Sequence, residues 1–443
     1  MKLSFLDPLF ATPGPWASVY LDTTRNGDDP DGAVAARWRH QRDALLAQGA
    51  DSATVTALEE AVGTSDAPGQ ALFAAHGRLA LAADLPDPPE RDQARFDPLP
   101  DALPLALRRA PDIPYAAITI TRWEPPAEEP PFDGPDTIHA PESSHATEAP
   151  DATEAHEAID GHDAYGGLDD LDGYDGYDGY DGSDNYDDFE DYDSHEGDFP
   201  GVAPPADAPH ILLTCETGHW PTGRVHPGPR LTRRVPVAEW QRTAPLLARE
   251  LTDLADRHAA EVVLVCRDAG DPWLSGVLVN RLPIHLQNRL TTVDEEPGTL
   301  GPGTPHPHLA RLLRGRLRSA DQHQLDTFFA QRARHRPKSE GVTAAVTALQ
   351  RRQARSLLLT DALRLPERLW SGADPTQIAL SAAELEAYGT PSVHEEPAGA
   401  ALLAAAVRTG AELIVPPSDR VPLTDGIGVV LRYRDAADMA MTA

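Results

Sequence analysis

Cations are the residues of this chain whose types and spacing most suggest chemistry. Between His306 and Arg355 stand 11 Lys or Arg (Arg311, Arg314, Arg316, Arg318, Arg332, Arg334, Arg336, Lys338, Arg351, Arg352 and Arg355) against Asp321, Asp326 and Glu340, a local charge of +8. Cations at that density suit a surface that follows a phosphate backbone, where counterion release supplies affinity without reading sequence. The alternation Arg332, Arg334, Arg336, Lys338 extends the pattern. The competing reading is a solvated helix face paired with acids elsewhere, and the residues taken alone favour it. A second group, Arg224, Arg230, Arg233 and Arg234, lies in a Pro- and Arg-rich stretch from Trp220 to Val237 that reads as a loop.

Other chemistries find little support. Cys215 and Cys266 end or follow apolar runs, as small buried thiols do. The chain has no Gly-x-Ser-x-Gly elbow, phosphate-cradling glycine loop, Cys-x-x-Cys or His-Glu-x-x-His. His306 and His308 flank Pro307 in an expected loop without the further ligands a metal site needs, so no metal or other cofactor is expected. The Asp-Gly-Tyr triplets between Asp172 and Gly182 fit neither the EF-hand spacing nor a nine-residue β-roll repeat.

The net charge is informative only once it is located. The 443 residues carry 38 Lys plus Arg against 70 Asp plus Glu, a formal charge of −32. Between Trp123 and Gly223 lie 28 of the acids and no Lys or Arg, which leaves 42 acids against 38 bases elsewhere, or −4. The segment from Glu124 to Pro205 is rich in Asp, Glu, Gly, Pro and His and poor in aliphatic residues. It cannot bury enough apolar surface to offset its chain entropy, and we expect disorder there. It is either a solvated acidic loop or a nucleic-acid mimic that competes for a basic surface on this chain or a partner. Two cysteines and short, broken apolar runs lead us to expect neither a disulfide framework nor a membrane protein. Asp7-Pro8 interrupts the apolar opening before it reaches signal-peptide length, and we expect a soluble cytoplasmic protein.

The elements that must position these groups read as α/β throughout. Ala17, Val19 and Leu21 alternate with Ser18, Tyr20 and Asp22 in a strand, helices follow near 31–48 and 52–62, and Leu72 to Leu81 reads as a hairpin. A second block has strands around Ile118–Ile120, Ile211–Cys215 and Val262–Cys266, with a helix capped by Thr243 and Pro245 in its first turn. Should the first two strands be sheet neighbours, the acidic segment is their connecting loop. A third block has a helical region from His308 to Gln331, a helix starting at Ser339-Glu340, a strand at 356–360, an Ala-rich helix stopped by Gly410, and strands at 412–415 and 427–431.

This order of blocks, with Pro15-Trp16-Ala17-Ser18-Val19-Tyr20-Leu21-Asp22, Glu261-Val262-Val263-Leu264-Val265 and the run Pro422 to Tyr433 (PLTDGIGVVLRY), resembles the actinobacterial branch of the archaeo-eukaryotic release factor 1 and Pelota superfamily. The resemblance implies three domains: a small α/β domain at 1–108, a ribonuclease-H-like domain at 109–300 interrupted by a disordered acidic insert at 124–205, and an α/β domain at 306–443 similar to kink-turn-binding ribosomal proteins. It implies a ribosome-associated translation factor with rRNA as partner, no membrane and no DNA sequence recognition; elongation factor Tu is a candidate carrier. Hydrolytic members use a Gly-Gly-Gln loop, and that tripeptide occurs nowhere here. Gln241 lies in the corresponding stretch, but bulky Glu239 and Trp240 precede it. The resemblance therefore favours an A-site-binding hibernation or stress factor. A peptidyl-tRNA hydrolase or rescue factor acting through Gln241, and an acidic-loop interaction module off the ribosome, are the alternatives. It also turns the arginine clusters, including Arg224 to Arg234, toward an RNA-facing role.

Overall fold

The computed structural model describes residues 1–25, 29–123, 208–296, 298–301, 303–374 and 376–433; the acidic segment expected to be disordered lies outside them. Three α/β modules follow one another. The first has a four-stranded antiparallel sheet in the order β3-β2-β1-β4, from β1 (Trp16–Asp22), β2 (Gly69–Ala75), β3 (Arg78–Leu85) and β4 (Gln93–Asp97), with helices α1 (Asp7–Phe10), α2 (Pro30–Ala47), α3 (Ser52–Glu59) and α4 (Leu103–Arg109). Asp29 and Asp51 cap α2 and α3 by accepting from the amides of Gly32 and Thr54. One sheet face packs Val19, Leu21 and Leu72 against Trp38, Leu45 and Leu58.

The alternation in β1 predicts one solvated face, yet Ser18 and Tyr20 are buried as well. The second face is covered from far along the chain: Trp16, Tyr20, Ala71 and Phe73 share a core with Val346, Leu349, Leu402 and Leu403 of the third module. The Tyr20 hydroxyl is satisfied inside this core. It donates to the Asp101 carbonyl at 2.8 Å and accepts from the Leu105 amide at 3.1 Å.

The middle module is a five-stranded mixed sheet, β7-β6-β5-β8-β9, built from β5 (Ile113–Trp123), β6 (His210–Trp220), β7 (Arg230–Pro236), β8 (Val262–Asp268) and β9 (Leu290–Glu295). β5 and β6 pair antiparallel from Ile113↔Trp220 to Trp123↔His210, so the acidic segment does connect two adjacent strands. α5 (Trp240–Arg257), α6 (Pro272–Val279) and α7 (Ile284–Gln287) belong to this module; Trp240, Leu247 and Leu251 of α5 and Leu274 of α6 join the apolar core on one face of its sheet. α8 (Pro305–Leu313) packs Leu309 and Leu313 on the opposite face, against Tyr115, Leu264 and Cys266.

Two expectations here need correction. Residues 230–236 of the supposed arginine loop are strand β7, paired with β6. The helix after it begins at Trp240, so Thr243 is not its cap and Pro245 lies inside it. The physical reason is Trp240, a large apolar ring with one polar handle that needs a partner once buried. It is fully buried and donates its indole N–H to the Leu274 carbonyl at 3.0 Å, drawing the chain into the helix four residues early.

The third module contains α9 (Ser319–Ser339), α10 (Val342–Gln350), α11 (Ala382–Ala387), α12 (Ala398–Thr409) and two three-stranded sheets. One sheet has the order β14-β10-β15, from β10 (Ala354–Leu359), β14 (Glu412–Ile414) and β15 (Ile427–Leu431). The other has the order β12-β11-β13, from β11 (Arg368–Ser371), β12 (Ile378–Ala379) and β13 (His394–Pro397), and no strand is expected there from the sequence. The helical region after His308 is two helices, and Ser339 ends α9 rather than starting α10, because Gly341, at φ +88°, breaks the run. Gly410 stops α12 as expected, in the left-handed conformation at φ +67°. No helix among the described residues is long and apolar enough to cross a membrane.

Replacing Trp240 by Ala is expected to cost about 3–5 kcal/mol in urea unfolding, and Trp240→Phe distinctly less, through loss of one hydrogen bond and some volume. A second prediction concerns Glu396 on β13, which is 3% exposed. Burial first, and then the Asp97 carboxylate, push its carboxyl up to about 7 against the opposing pull of Arg368. A raised folded pKa means that the proton stabilises the fold. The contribution is complete below the unfolded value of 4.5 and is lost as pH rises through 7. It amounts to roughly 3 kcal/mol at most. Glu396→Gln is expected to flatten the melting temperature between pH 5 and 8; a slope unchanged by the substitution contradicts this assignment.

Candidate nucleic-acid interface

Tertiary contacts sort the cations into paired and unpaired. Arg224 reaches Asp87 at 2.8 Å, Arg230 reaches Glu216 at 3.2 Å, and Arg233 reaches Glu250 at 3.1 Å. Arg234 sits half-buried beside them on β7. This group is therefore not a free basic loop tip. Arg318 lies 3.9 Å from Asp112 and 3.5 Å from Glu261, Arg332 lies 2.5 Å from the buried Glu340, and Arg352 lies 4.0 Å from Asp374. Arg351 is exposed just beyond α10.

The run Arg332, Arg334, Arg336, Lys338 lies within α9, where alternate residues point to nearly opposite sides. Arg332 turns inward to Glu340 while Arg334 is exposed, so the row expected along one surface is split. The side chains of Arg336 and Lys338 lie outside the described residues.

What remains is exposed Arg334 on α9, exposed Arg355 on β10 and a compact group at the end of α8. Arg311 meets the His308 ring at 3.1 Å, and Arg314 and Arg316 are exposed with no acidic partner among the described residues. The turn that carries them is fixed on both sides. Gly315 makes the reversal possible, since a left-handed φ costs glycine little. Its φ is +66°, and its carbonyl accepts from Arg420 at 3.2 Å. Just beyond, the Ser319 amide and hydroxyl both donate to Glu261, each at 2.7 Å, so the start of α9 is bound to the middle module.

Arg314 and Arg316 line a cleft of about 310 Å³ between the middle and third modules, together with Trp220, Asp361, Pro416 and Pro417. Trp220 is half-buried, with a neighbouring ring, His306, at 6.5 Å. Two guanidinium groups without acidic partners beside an accessible indole offer phosphate pairing and base stacking, the two means by which proteins hold single-stranded nucleic acid. Trp220 is not among the residues sequence reasoning selects, because its role depends on a neighbour almost a hundred residues away.

The remaining candidates take ordinary structural places. Gln241 is exposed as the second residue of α5, and among the described residues no group of a catalytic kind hydrogen-bonds to it. Cys215 and Cys266 are free and buried, and burial pushes each thiol up to about 12. His306 and His308 lie in the first turn of α8 rather than in a loop, against Glu216 at 3.8 Å and Glu295 at 2.5 Å.

Residues 193–334 match the family model of bacterial archaeo-eukaryotic release factor family 2. No curated protein matches the chain. Among solved structures it is similar to the archaeal translation termination factor aRF1 at 11% identity, over 97% of this chain and 96% of that one, with a TM-score of 0.18. It is similar to Dom34 of S. cerevisiae at 11% identity, over 51% of this chain and 62% of that one, with a TM-score of 0.27. Pelota of Archaeoglobus fulgidus gives 12% identity over 51% and 62%, with a TM-score of 0.25. The family-model match spans about a third of the chain, the stretch that holds β6, β7, the buried Trp240 and the Arg314–Arg316 turn.

Proposed function

We propose that this protein is a ribosome-associated translation factor that binds rRNA without hydrolysing the peptidyl-tRNA ester, as an A-site factor of stress or dormancy. The observation that carries the RNA-binding part is the pair of arginines without acidic partners beside Trp220, in a cleft of about 310 Å³. Support for the absence of hydrolysis comes from the strand-to-helix junction after β7. Glu239 and the buried Trp240 occupy it where a mobile glycine loop would be needed, and Gly-Gly-Gln occurs nowhere in the chain. The translation-factor part is supported by the family match, which spans both that junction and the arginine turn.

Arg314→Ala with Arg316→Ala is expected to weaken binding of ribosomes and of single-stranded RNA by about 10- to 100-fold at low salt. The slope of log affinity against log salt should fall by about 1.4, two phosphate contacts' worth. Arg233→Ala, which removes a cation already paired with Glu250, should change affinity less than about twofold. Equal losses in both variants would exclude the cleft as the contact surface, and failure to pellet with ribosomes in low salt, with or without residues 126–205, would end the ribosomal reading.

The acidic segment enters this proposal as a tethered competitor for the cleft. Deleting residues 126–205 is expected to tighten RNA binding at low salt and to leave it unchanged near 1 M, where charges are screened within about 3 Å. An affinity that is the same at every salt concentration refutes competition. Peptidyl-tRNA turnover that disappears in Gln241→Ala would instead establish the hydrolase alternative.

A further inference from the structure

The middle sheet has an open polar face that the RNA-binding reading does not use. Thr119 on β5 pairs with Thr214 on β6, which pairs with Thr232 on β7. Three hydroxyls thus cross the sheet in a row, at the strand spacing of roughly 4.8 Å. The next row on the same face is Ala117, Glu216 and Arg230. It lies two residues along each strand, roughly 6.6 Å away. Both rows line a groove of about 200 Å³ whose wall includes Leu300 and Pro305, beside the first turn of α8.

The groups in this groove are poorly satisfied by the protein itself. Glu216 is 6% exposed; one carboxylate oxygen accepts from Arg230 at 3.2 Å, and the other is shielded from solvent with no hydrogen-bond donor. The His306 ring stands 3.8 Å from that second oxygen, beyond hydrogen-bond reach. Burial holds His306 below its ordinary value despite the opposing pull of Glu216. Burying a carboxylate oxygen without a donor is costly, so a ligand that supplies donors there gains what the folded chain forgoes.

The pattern restricts the ligand. Among the described residues no group of three or more His, Cys, Asp or Glu could hold a metal ion. A carboxylate with a free oxygen matches vicinal hydroxyl donors, as acidic residues do when they take a ribose. The threonine row offers donors and acceptors beside it, and Arg230, with its side chain 45% exposed, stands at the mouth for an anion. We propose that this groove binds the ribose phosphate of a nucleotide, with the cis-diol on Glu216 and the threonine row and the phosphate toward Arg230. The ribose comes either from a free nucleotide or from the 3′ end of an RNA, since both present the same diol. Helix α8 has this groove at its start and the Arg314–Arg316 cleft at its end. Its nine residues separate the two sites by roughly 13 Å at the helical rise per residue.

Titration calorimetry of the full chain with AMP, ribose 5-phosphate, 2′-deoxy-AMP and inorganic phosphate tests the assignment. Saturable binding is expected for AMP and ribose 5-phosphate, at least tenfold weaker for 2′-deoxy-AMP and weaker still for phosphate alone. Glu216→Gln should weaken AMP at least tenfold. Because that change also touches the Arg230 pair, Thr214→Val, which removes only a hydroxyl, should weaken AMP several-fold without lowering the melting temperature. In the Arg314→Ala, Arg316→Ala background, where the cleft can no longer hold a nucleotide, the loss of AMP affinity on Glu216→Gln should persist, so failure of this proposal and failure of the cleft reading are separable. Displacement of AMP by an oligoribonucleotide with a free 3′ diol, but not by its 3′-phosphorylated form, identifies an RNA end; displacement by neither identifies a free nucleotide. Equal affinity for AMP and 2′-deoxy-AMP, or no saturable binding of any probe at millimolar concentration, overturns it.

Discussion

The arrangement of the molecule depends on one apolar seam, the burial of the second face of the N-terminal sheet under helices α10 and α12. Trp16, Phe73, Leu349 and Leu402 belong to one continuous core although some three hundred residues separate them. Each large side chain fully removed from water contributes about 1.5–3 kcal/mol. The polar contacts that complete the ring of modules are weaker. Arg224–Asp87 and His226–Asp84 join the middle module to the first, and Arg318 and Ser319 join it to the third. Exposed pairs of this kind are each worth about 0–1 kcal/mol. The seam thus holds the first and third modules together, and the ion pairs orient the middle one against them. The cleft inherits its geometry from both, since Trp220 and Leu313 form one wall and Val415, Pro416 and Pro417 the other.

Charge in this protein acts locally. The formal charge of −32 belongs almost wholly to one segment, and the body around it is close to neutral. Within that body six arginines of the two basic clusters, Arg224, Arg230, Arg233, Arg318, Arg332 and Arg352, face a carboxylate, and two of those carboxylates, Glu216 and Glu340, are buried. A buried acid requires a cation beside it, so Arg332 is committed to holding the end of α9, while Arg230 pairs with Glu216 and keeps its side chain 45% exposed. Among the described residues of those clusters, cations stand without such a partner where the chain reverses between α8 and α9, and there an indole stands with them. A count of basic residues overstates the cationic surface open to a phosphate backbone; the pairing pattern narrows it.

Much of the fold was legible in local sequence. Asp29 and Asp51 mark the starts of α2 and α3, and Gly410 marks the end of α12, because capping needs particular side chains or a left-handed residue at one position. The entry to β15 was legible for a similar reason: a Cβ on Gly426, at φ +69°, would lie 2.6 Å from the Ala362 carbonyl oxygen. β7 was not legible, because its arginines and prolines read as loop until Glu216 and Glu250 neutralise them across the module. The small sheet β12-β11-β13 escaped because its strands are two to four residues long, too short for any periodicity to register.

By itself the sequence determined the α/β character, the order of the blocks, the isolation of the acidic segment and the absence of Gly-Gly-Gln, since each is a property of neighbouring residues or of composition. Only the tertiary structure decided which cations stay available, that Ser18 and Tyr20 are buried rather than solvated, and that Trp220 stands with Arg314 and Arg316. Those outcomes rest on contacts between residues far apart in the chain, such as Arg224 with Asp87 across 137 positions, and local spacing carries no record of them.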